Sequence, residues 1–114
     1  MTKKLKLEEL GRIDIETFKH TEKIPLIIVL DNVRSMHNVG AVFRTADAFL
    51  VEKIILCGIT PQPPHREIHK AALGATESVD WSYENDIKNT LIYLKSDGYT
   101  VIGVEQTSDS ILIE

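Results

Sequence analysis

Two short, continuous apolar runs on either side of an amphipathic stretch constrain this fold more than any other feature of the sequence. The runs are Leu26–Leu30 and Ile54–Cys57, the second within a predicted strand that begins at Lys53, and both contain β-branched residues, which is typical of buried parallel strands. Residues 38–50 between them have helical periodicity, with an apolar stripe formed by Val39, Val42, Phe43, Ala46 and Leu50. The sequence therefore predicts a strand, a helix and a second strand joined by a right-handed crossover.

The rest of the chain continues this alternation. Two short N-terminal helices are predicted at residues 5–10 and 15–23, with Asp14 as the N-cap of the second. After the second strand we predict a helix at 67–73, a strand at 79–83, a helix at 86–95 and a fourth strand at 99–104. This order predicts an α/β fold, with a four-stranded parallel sheet and helices on both faces. We expect residues 1–23 to form a helical extension and residues 24–114 to form one domain. Its predicted helices are too few to cover both faces of a four-stranded sheet, so we expect the domain to be incomplete at its C-terminus.

Composition excludes several classes of protein. The formal net charge of −4 argues against a general polyanion binder, although a local basic patch remains compatible with it. The chain has one cysteine, Cys57, which excludes an internal disulfide and favours a small buried hydrophobe. No apolar run approaches the ~20 residues that span a bilayer, and the N-terminus lacks the apolar core of a secretion signal. We therefore expect a cytoplasmic protein with no membrane partner.

The first of two cationic clusters, Arg34, His37 and Arg44, surrounds the start of the predicted helix at residues 38–50. Asn38 is placed to act as its N-cap, and Gly40 and Arg44 lie on a face away from the apolar stripe. A glycine here costs ~1 kcal/mol relative to alanine, which suggests close approach of a ligand or another backbone. Asn38 could equally be only a cap, Gly40 a packing glycine, and Arg44 a solvated cation paired with Asp47.

The second cluster, His65, Arg66, His69 and Lys70, follows the second strand. The i,i+4 spacing of its two histidines can place both imidazoles on one helix face, but no third ligand is evident, so we predict no metal site. A basic surface for phosphates and a plain solvated helix are the remaining interpretations.

The order of these motifs resembles the SpoU/TrmH-type RNA 2′-O-ribose methyltransferases. The resemblance covers roughly residues 24–107, and the matching segments are Leu30–Asn32, Asn38–Ala41, Phe43–Phe49, Val51–Gly58, His69–Ala75 and Val101–Gln106. Val51 stands where members of that family commonly have glycine. The family's second and third motifs, which build its C-terminal trefoil knot and most of the cofactor site, are absent from this sequence.

The resemblance implies a homodimeric enzyme that transfers a methyl group from S-adenosylmethionine to a ribose 2′-hydroxyl of tRNA or rRNA. It implies that Arg44 activates the hydroxyl and that Asn38 shapes the same pocket. Because the pKa of arginine exceeds about 12, Arg44 can act only as a cation or with help from a substrate phosphate.

The remaining site residues are expected as follows. The RNA-binding candidates are Arg34, His37, His65, Arg66 and Lys70, and the candidates for the cofactor rim are Glu105, Gln106 and Thr107. Without the knot we expect this chain to be inactive alone and to bind the cofactor poorly. The alternatives are a non-catalytic RNA-binding or dimerisation module derived from that family, and a flavodoxin-like ligand-binding domain, which the polar loop after the first strand fits poorly.

Overall fold

Helices and strands alternate along the part of the chain that the computed structural model describes, residues 15–104. The helices are α1 (Ile15–His20), α2 (Met36–Ala48), α3 (Arg66–Ala72), α4 (Ala75–Ser78) and α5 (Ile87–Ser96), and the strands are β1 (Ile24–Asp31), β2 (Val51–Cys57) and β3 (Trp81–Glu84). None of these helices is long and apolar enough to cross a bilayer. The helix predicted at residues 5–10 and its neighbour Asp14 lie outside the described residues.

The three strands form a parallel sheet in the order β1-β2-β3. Side chains alternate between the two faces of a strand, so Ile54 and Leu56 of β2 face one side while Ile55 and Cys57 face the other. All four are buried. The central strand is therefore covered on both faces, as its continuous apolar sequence predicts.

Helices cover both faces of this sheet, which confirms the predicted α/β class. On one face α2, α3 and α4 contribute to a core around Phe43, whose ring meets Trp81 edge-on at a centroid distance of 6.4 Å. On the other face, Leu94 of α5 packs against Ile55 and Cys57. The buried members of the first core are Leu30, Val39, Phe43, Ala46, Val51, Ile54, Leu56, Ile68, Ala72, Ala75 and Val79.

Helix α2 begins earlier than predicted, so the assignment of Asn38 as its N-cap is wrong. Ser35 is the cap, because its backbone is extended and its Oγ accepts the Asn38 N–H at 3.1 Å. Serine is as good an N-cap as asparagine, and it stands one turn upstream. The helix ends at Ala48, and Leu50 then adopts a left-handed φ of 57° that turns the chain into β2.

The chain between α3 and β3 also departs from prediction. Leu73 and Gly74 have left-handed φ values of 52° and 90°, and a one-turn helix that the pattern did not predict, α4, follows them. Four residues are too few to show helical periodicity, and the pattern left residues 75–78 unassigned. Val79 closes α4, because its N–H bonds to the Ala75 carbonyl, so β3 begins at Trp81 rather than at Val79.

The prediction of a fourth strand at residues 99–104 is wrong for the structure described. Tyr99 is tied locally, because its N–H bonds to the Leu94 carbonyl and its hydroxyl donates to Glu52 Oε1 at 2.8 Å. Beyond it the segment is irregular, and Ile102 and Val104 are 68% and 86% exposed. An apolar run becomes a strand only when a neighbouring strand completes its hydrogen bonds, and here a hollow of about 930 Å³ separates the segment from β1.

Candidate functional site

The loops that follow β1 and β2 are bonded together at the carboxyl end of the sheet. Asn32, with a left-handed φ of 55°, accepts the Ile59 N–H on its Oδ1 at 2.9 Å. Thr60 Oγ accepts the Val33 N–H at 3.0 Å and lies 2.7 Å from the Cys57 carbonyl oxygen, to which it donates. These bonds fix the direction in which the chain enters α2. The sequence pattern did not predict them, although an Asn directly after a strand is a residue type that tolerates left-handed backbone.

Helices α2 and α3 approach each other closely at Gly40. A Cβ atom placed on Gly40 would lie 2.7 Å from the Ala71 Cβ and 3.1 Å from the Ala72 backbone nitrogen, and it would also collide with the Ile68 carbonyl oxygen. Of the interpretations that the sequence left open, the structure therefore supports close packing against another backbone. The contact brings the side chains of α3 beside those of α2.

A shallow hollow of about 490 Å³ lies where these two helices meet. Arg44 and His37 line it from α2 and Lys70 lines it from α3, so residues from both predicted cationic clusters meet at one place. The remaining lining is small or apolar, and comes from Ala41, Thr45, Ala48, Phe49 and Ala71. The hollow thus combines two cationic side chains with small and apolar ones, which suits an anion that also carries a flat or apolar group.

Arg44 is exposed at this hollow. Among residues 15–104 its guanidinium has no hydrogen bond or ion pair. Asp47, which the sequence offered as its partner at i+3, is instead buried beside Ser78 Oγ, 3.4 Å from its Oδ1. The five donors of Arg44 are therefore open to a ligand from solvent.

Other predicted site residues lie away from the lining of this hollow. Asn38 is exposed in the first turn of α2, and Arg34 is exposed in the loop before it. His65 and Arg66 are exposed at the start of α3. The predicted cofactor residues Glu105, Gln106 and Thr107 lie outside the described residues.

The two histidines of the second cluster are occupied by local contacts. His65 caps α3, since its Nδ1 accepts the Glu67 N–H at 3.3 Å, and His69 Nδ1 lies 3.4 Å from Thr76 Oγ. Within the part of the chain described, no three His, Cys, Asp or Glu side chains come together as metal ligands would. Both imidazoles therefore serve to hold α3 in place.

Cys57 lies under the same end of the sheet but faces the second core. Burial raises the pKa of its thiol, and the Asp31 and Glu84 carboxylates beside it raise the pKa further. Because the thiolate is disfavoured, this side chain behaves as the buried hydrophobe that its sequence context predicts.

Comparison with known proteins gives one consistent result. The model of the SpoU rRNA Methylase family matches residues 25–113. The 23S rRNA (guanosine-2′-O-)-methyltransferase RlmB of Neisseria meningitidis serogroup B is 31% identical over 97 residues, which are 85% of this chain and 39% of that protein. RlmB of Vibrio parahaemolyticus is 33% identical over 104 residues, or 90% of this chain and 42% of that protein.

Solved structures agree with the sequence matches. The AdoMet-bound rRNA methyltransferase from Sinorhizobium meliloti superposes with a TM-score of 0.59 at 28% identity, covering 68% of this chain and 29% of that one. The chain thus spans about two fifths of the length of the two RlmB relatives.

Proposed function

This chain belongs to the SpoU rRNA Methylase family, and we propose that the whole protein methylates a ribose 2′-hydroxyl in ribosomal or transfer RNA, with S-adenosylmethionine as methyl donor. The observation that carries the proposal is the position of Arg44. It is exposed, lacks a partner among the residues described, and shares a hollow with Lys70 and His37. The names of the RlmB relatives describe the same reaction on 23S rRNA.

Arg44 would act on the ribose as a permanent cation. The 2′-hydroxyl is a weak nucleophile until it loses its proton, and negative charge then develops on its oxygen. A guanidinium within hydrogen-bond reach stabilises that charge, whereas it is itself a permanent cation with no acceptor and therefore does not take up the proton. The proton therefore leaves to a different base, for which a neighbouring phosphate of the RNA is our candidate.

The described residues do not by themselves enclose a cofactor. The larger hollow, beside β1, is bounded on one side by residues 99–104, whose apolar side chains at Ile102 and Val104 are largely exposed. We therefore assign S-adenosylmethionine to residues outside those described, including Glu105, Gln106 and Thr107, and to the segments that the longer relatives possess. When bound there, the cofactor would supply an electrophilic methyl group.

Residues around the hollow would hold the RNA. We propose that Lys70 and His37 contact its phosphates within the hollow. Arg34, in the loop before α2, and His65 and Arg66, at the start of α3, extend this contact. Asn38 shapes the pocket. Arg34, His65 and Arg66 lie outside the hollow itself, so we expect them to contribute to affinity. Asn38 also lies outside it, but it directly follows His37, which lines the hollow. We further propose that the protein is cytoplasmic and acts as a homodimer, and sedimentation of the full-length protein tests the second of these proposals.

The decisive experiment is methyl transfer by the full-length protein and its Arg44→Lys and Arg44→Ala variants. Total RNA incubated with labelled S-adenosylmethionine is digested to nucleosides, and 2′-O-methylated products are measured by mass spectrometry. Loss of one transition-state donor typically costs about 10²–10³-fold in rate, so we expect losses of that order in Arg44→Ala. Arg44→Lys keeps the charge but not the planar fork, and it should recover part of the rate.

Lys88→Ala provides the matched control, because Lys88 is an exposed cation on α5 outside the hollow. It should leave the rate unchanged. Methylation by Arg44→Ala at most of the wild-type rate would remove Arg44 from the chemistry. RNA binding without any methylation by the wild-type protein would favour a non-catalytic RNA-binding module instead.

A further inference from the structure

Phe49 is the one large aromatic residue in the lining of the hollow that holds Arg44 and Lys70. Its side chain is 67% exposed. Within residues 15–104 the ring has neither an aromatic nor a cationic partner. The backbone at Phe49 is held in place, because its N–H bonds to the Thr45 carbonyl at 3.0 Å and closes the C-terminal turn of α2.

The side chains of Phe49 and of its neighbour Leu50 lie in different surroundings. Leu50 is half-buried and packs against the first core, whereas Phe49 faces the hollow. Ile92 and Tyr93 of α5 are also exposed, but they do not line this hollow. Phe49 is thus set apart by its cationic surroundings rather than by exposure alone.

A nucleotide unites the two kinds of group that this hollow can bind. Its phosphate is an anion that matches Lys70, its ribose carries the hydroxyl on which Arg44 would act, and its base is a flat ring that stacks on an aromatic side chain. The volume of about 490 Å³ lies within the range of small-molecule pockets, roughly 300–1,000 Å³. The Phe49 ring carries no hydrogen-bonding group, so such stacking does not depend on which base is bound.

We propose that Phe49 is the stacking platform for the base of an unpaired RNA nucleotide whose phosphate lies against Lys70 and whose ribose lies against Arg44. This inference rests on the proposed function, since it names the form in which the RNA is recognised. In a duplex both faces of a base are covered by its neighbours, so the ring can stack only on a base that is single-stranded or turned out of a helix. The protein therefore selects accessible loops rather than continuous helices.

The test measures binding of full-length protein to a labelled single-stranded oligoadenylate of about ten nucleotides and to a blunt RNA duplex of equal length. Removal of one stacked base contact typically weakens binding roughly 5- to 150-fold, and we expect a loss in this range for Phe49→Ala on the single strand. Phe49→Leu retains apolar bulk without the aromatic face and should lose nearly as much. Phe49→Tyr should stay within about twofold, and so should the control Tyr93→Ala on α5.

Each result decides the proposal. Single-strand affinity equal to wild type in Phe49→Leu overturns stacking, and so does an equal loss on the duplex. A change from dimer to monomer in Phe49→Ala, measured by sedimentation, would show that a second copy covers the ring and would also overturn it. If the wild-type protein methylates RNA and the Phe49 variants bind the single strand as tightly as wild type, only this inference fails. If the wild-type protein neither binds nor methylates RNA, the proposed function fails as well.

Discussion

Gly40→Ala sets helix propensity against helix packing at the contact that creates the hollow. Gly40 lies inside α2, where alanine is favoured over glycine by about 1 kcal/mol. Against this, the new methyl group would lie 2.7 Å from the Ala71 Cβ and would collide with the Ile68 carbonyl oxygen. Both obstacles belong to α3, and one of them is backbone, so no side-chain rotation can relieve them.

The size of the effect follows from the displacement that α3 must undergo. Ordinary contact begins at 3.4 Å, so the Ala71 Cβ must retreat by about 0.7 Å, and the Ile68 carbonyl by more. A gap of 0.5–1 Å forfeits roughly a quarter to a half of the dispersion attraction across an interface. Overpacking of this kind costs about 1–3 kcal/mol. With rigid neighbours we take the upper end, and after the gain in propensity we expect a net loss of about 2 kcal/mol.

Urea unfolding of this chain, followed by the fluorescence of its single tryptophan, measures this loss. Trp81 packs edge-on against Phe43 of α2, so its emission reports the core that α2 covers. A loss of about 2 kcal/mol lowers the midpoint by roughly 1–2 M urea at an ordinary m-value. Ala41→Gly, at the next position of α2, is the control for propensity and should cost about 1 kcal/mol.

Two outcomes would refute this reasoning about the helix contact. If Gly40→Ala is as stable as wild type or more stable, propensity outweighs packing and the two helices are not in rigid contact. The double variant Gly40→Ala, Ala71→Gly supplies the second check, because removal of the Ala71 methyl group relieves part of the collision. The two changes should therefore be less destabilising together than the sum of their separate effects, and strict additivity would contradict the contact.

Three further predictions concern charge, the buried thiol and the cofactor. Arg66→Ala and Lys70→Ala in the full-length protein should each weaken RNA binding, and each should reduce the slope of log K against log salt by about 0.7 for a single strand. An unchanged slope in both variants would show that neither residue contacts a phosphate. Cys57 should react with thiol reagents far more slowly in the folded chain than in urea. The pKa of its thiol is raised in the folded chain, so the thiol of the unfolded chain loses its proton first as the pH rises. The free energy of unfolding should therefore fall as the pH rises above about 8.5. Cys57→Ala should lack this fall, and its persistence would assign the pH dependence to another group. Calorimetric titration of the 114-residue chain with S-adenosylmethionine should show no micromolar binding, and a micromolar Kd would place the cofactor site within these residues.

The strand predictions succeeded where the pattern was continuous and failed where it depended on a neighbour. The core of β2 was predicted from its apolar run, because burial on both faces leaves no polar position in the sequence. Residues 99–104 have a similar composition but form no strand, since that requires hydrogen bonds from an adjacent strand. The N-cap of α2 was misplaced by one turn because Ser35 and Asn38 are both good caps, and local sequence does not choose between them.

The candidate site divides in the same way. The sequence identified Arg44 and Lys70 as notable cations, but it assigned them to two separate clusters. It treated Phe49 only as part of a motif, and it did not predict the bonds that Asn32 and Thr60 make between the loops. Each of these features depends on a partner far away in the chain, which periodicity and spacing do not record.

By itself, the sequence determined the α/β class, the helices on both faces of a parallel sheet, and the types of residue available at the carboxyl end of the strands. These follow from burial and hydrogen bonding within a few residues, which a local pattern reflects directly. Only the tertiary structure decided that the backbone of α3 passes against Gly40 and so places Lys70 at the same hollow as Arg44 and Phe49. The physical reason is that proximity between distant residues is set by how helices pack over a sheet, and that packing is a property of the whole domain.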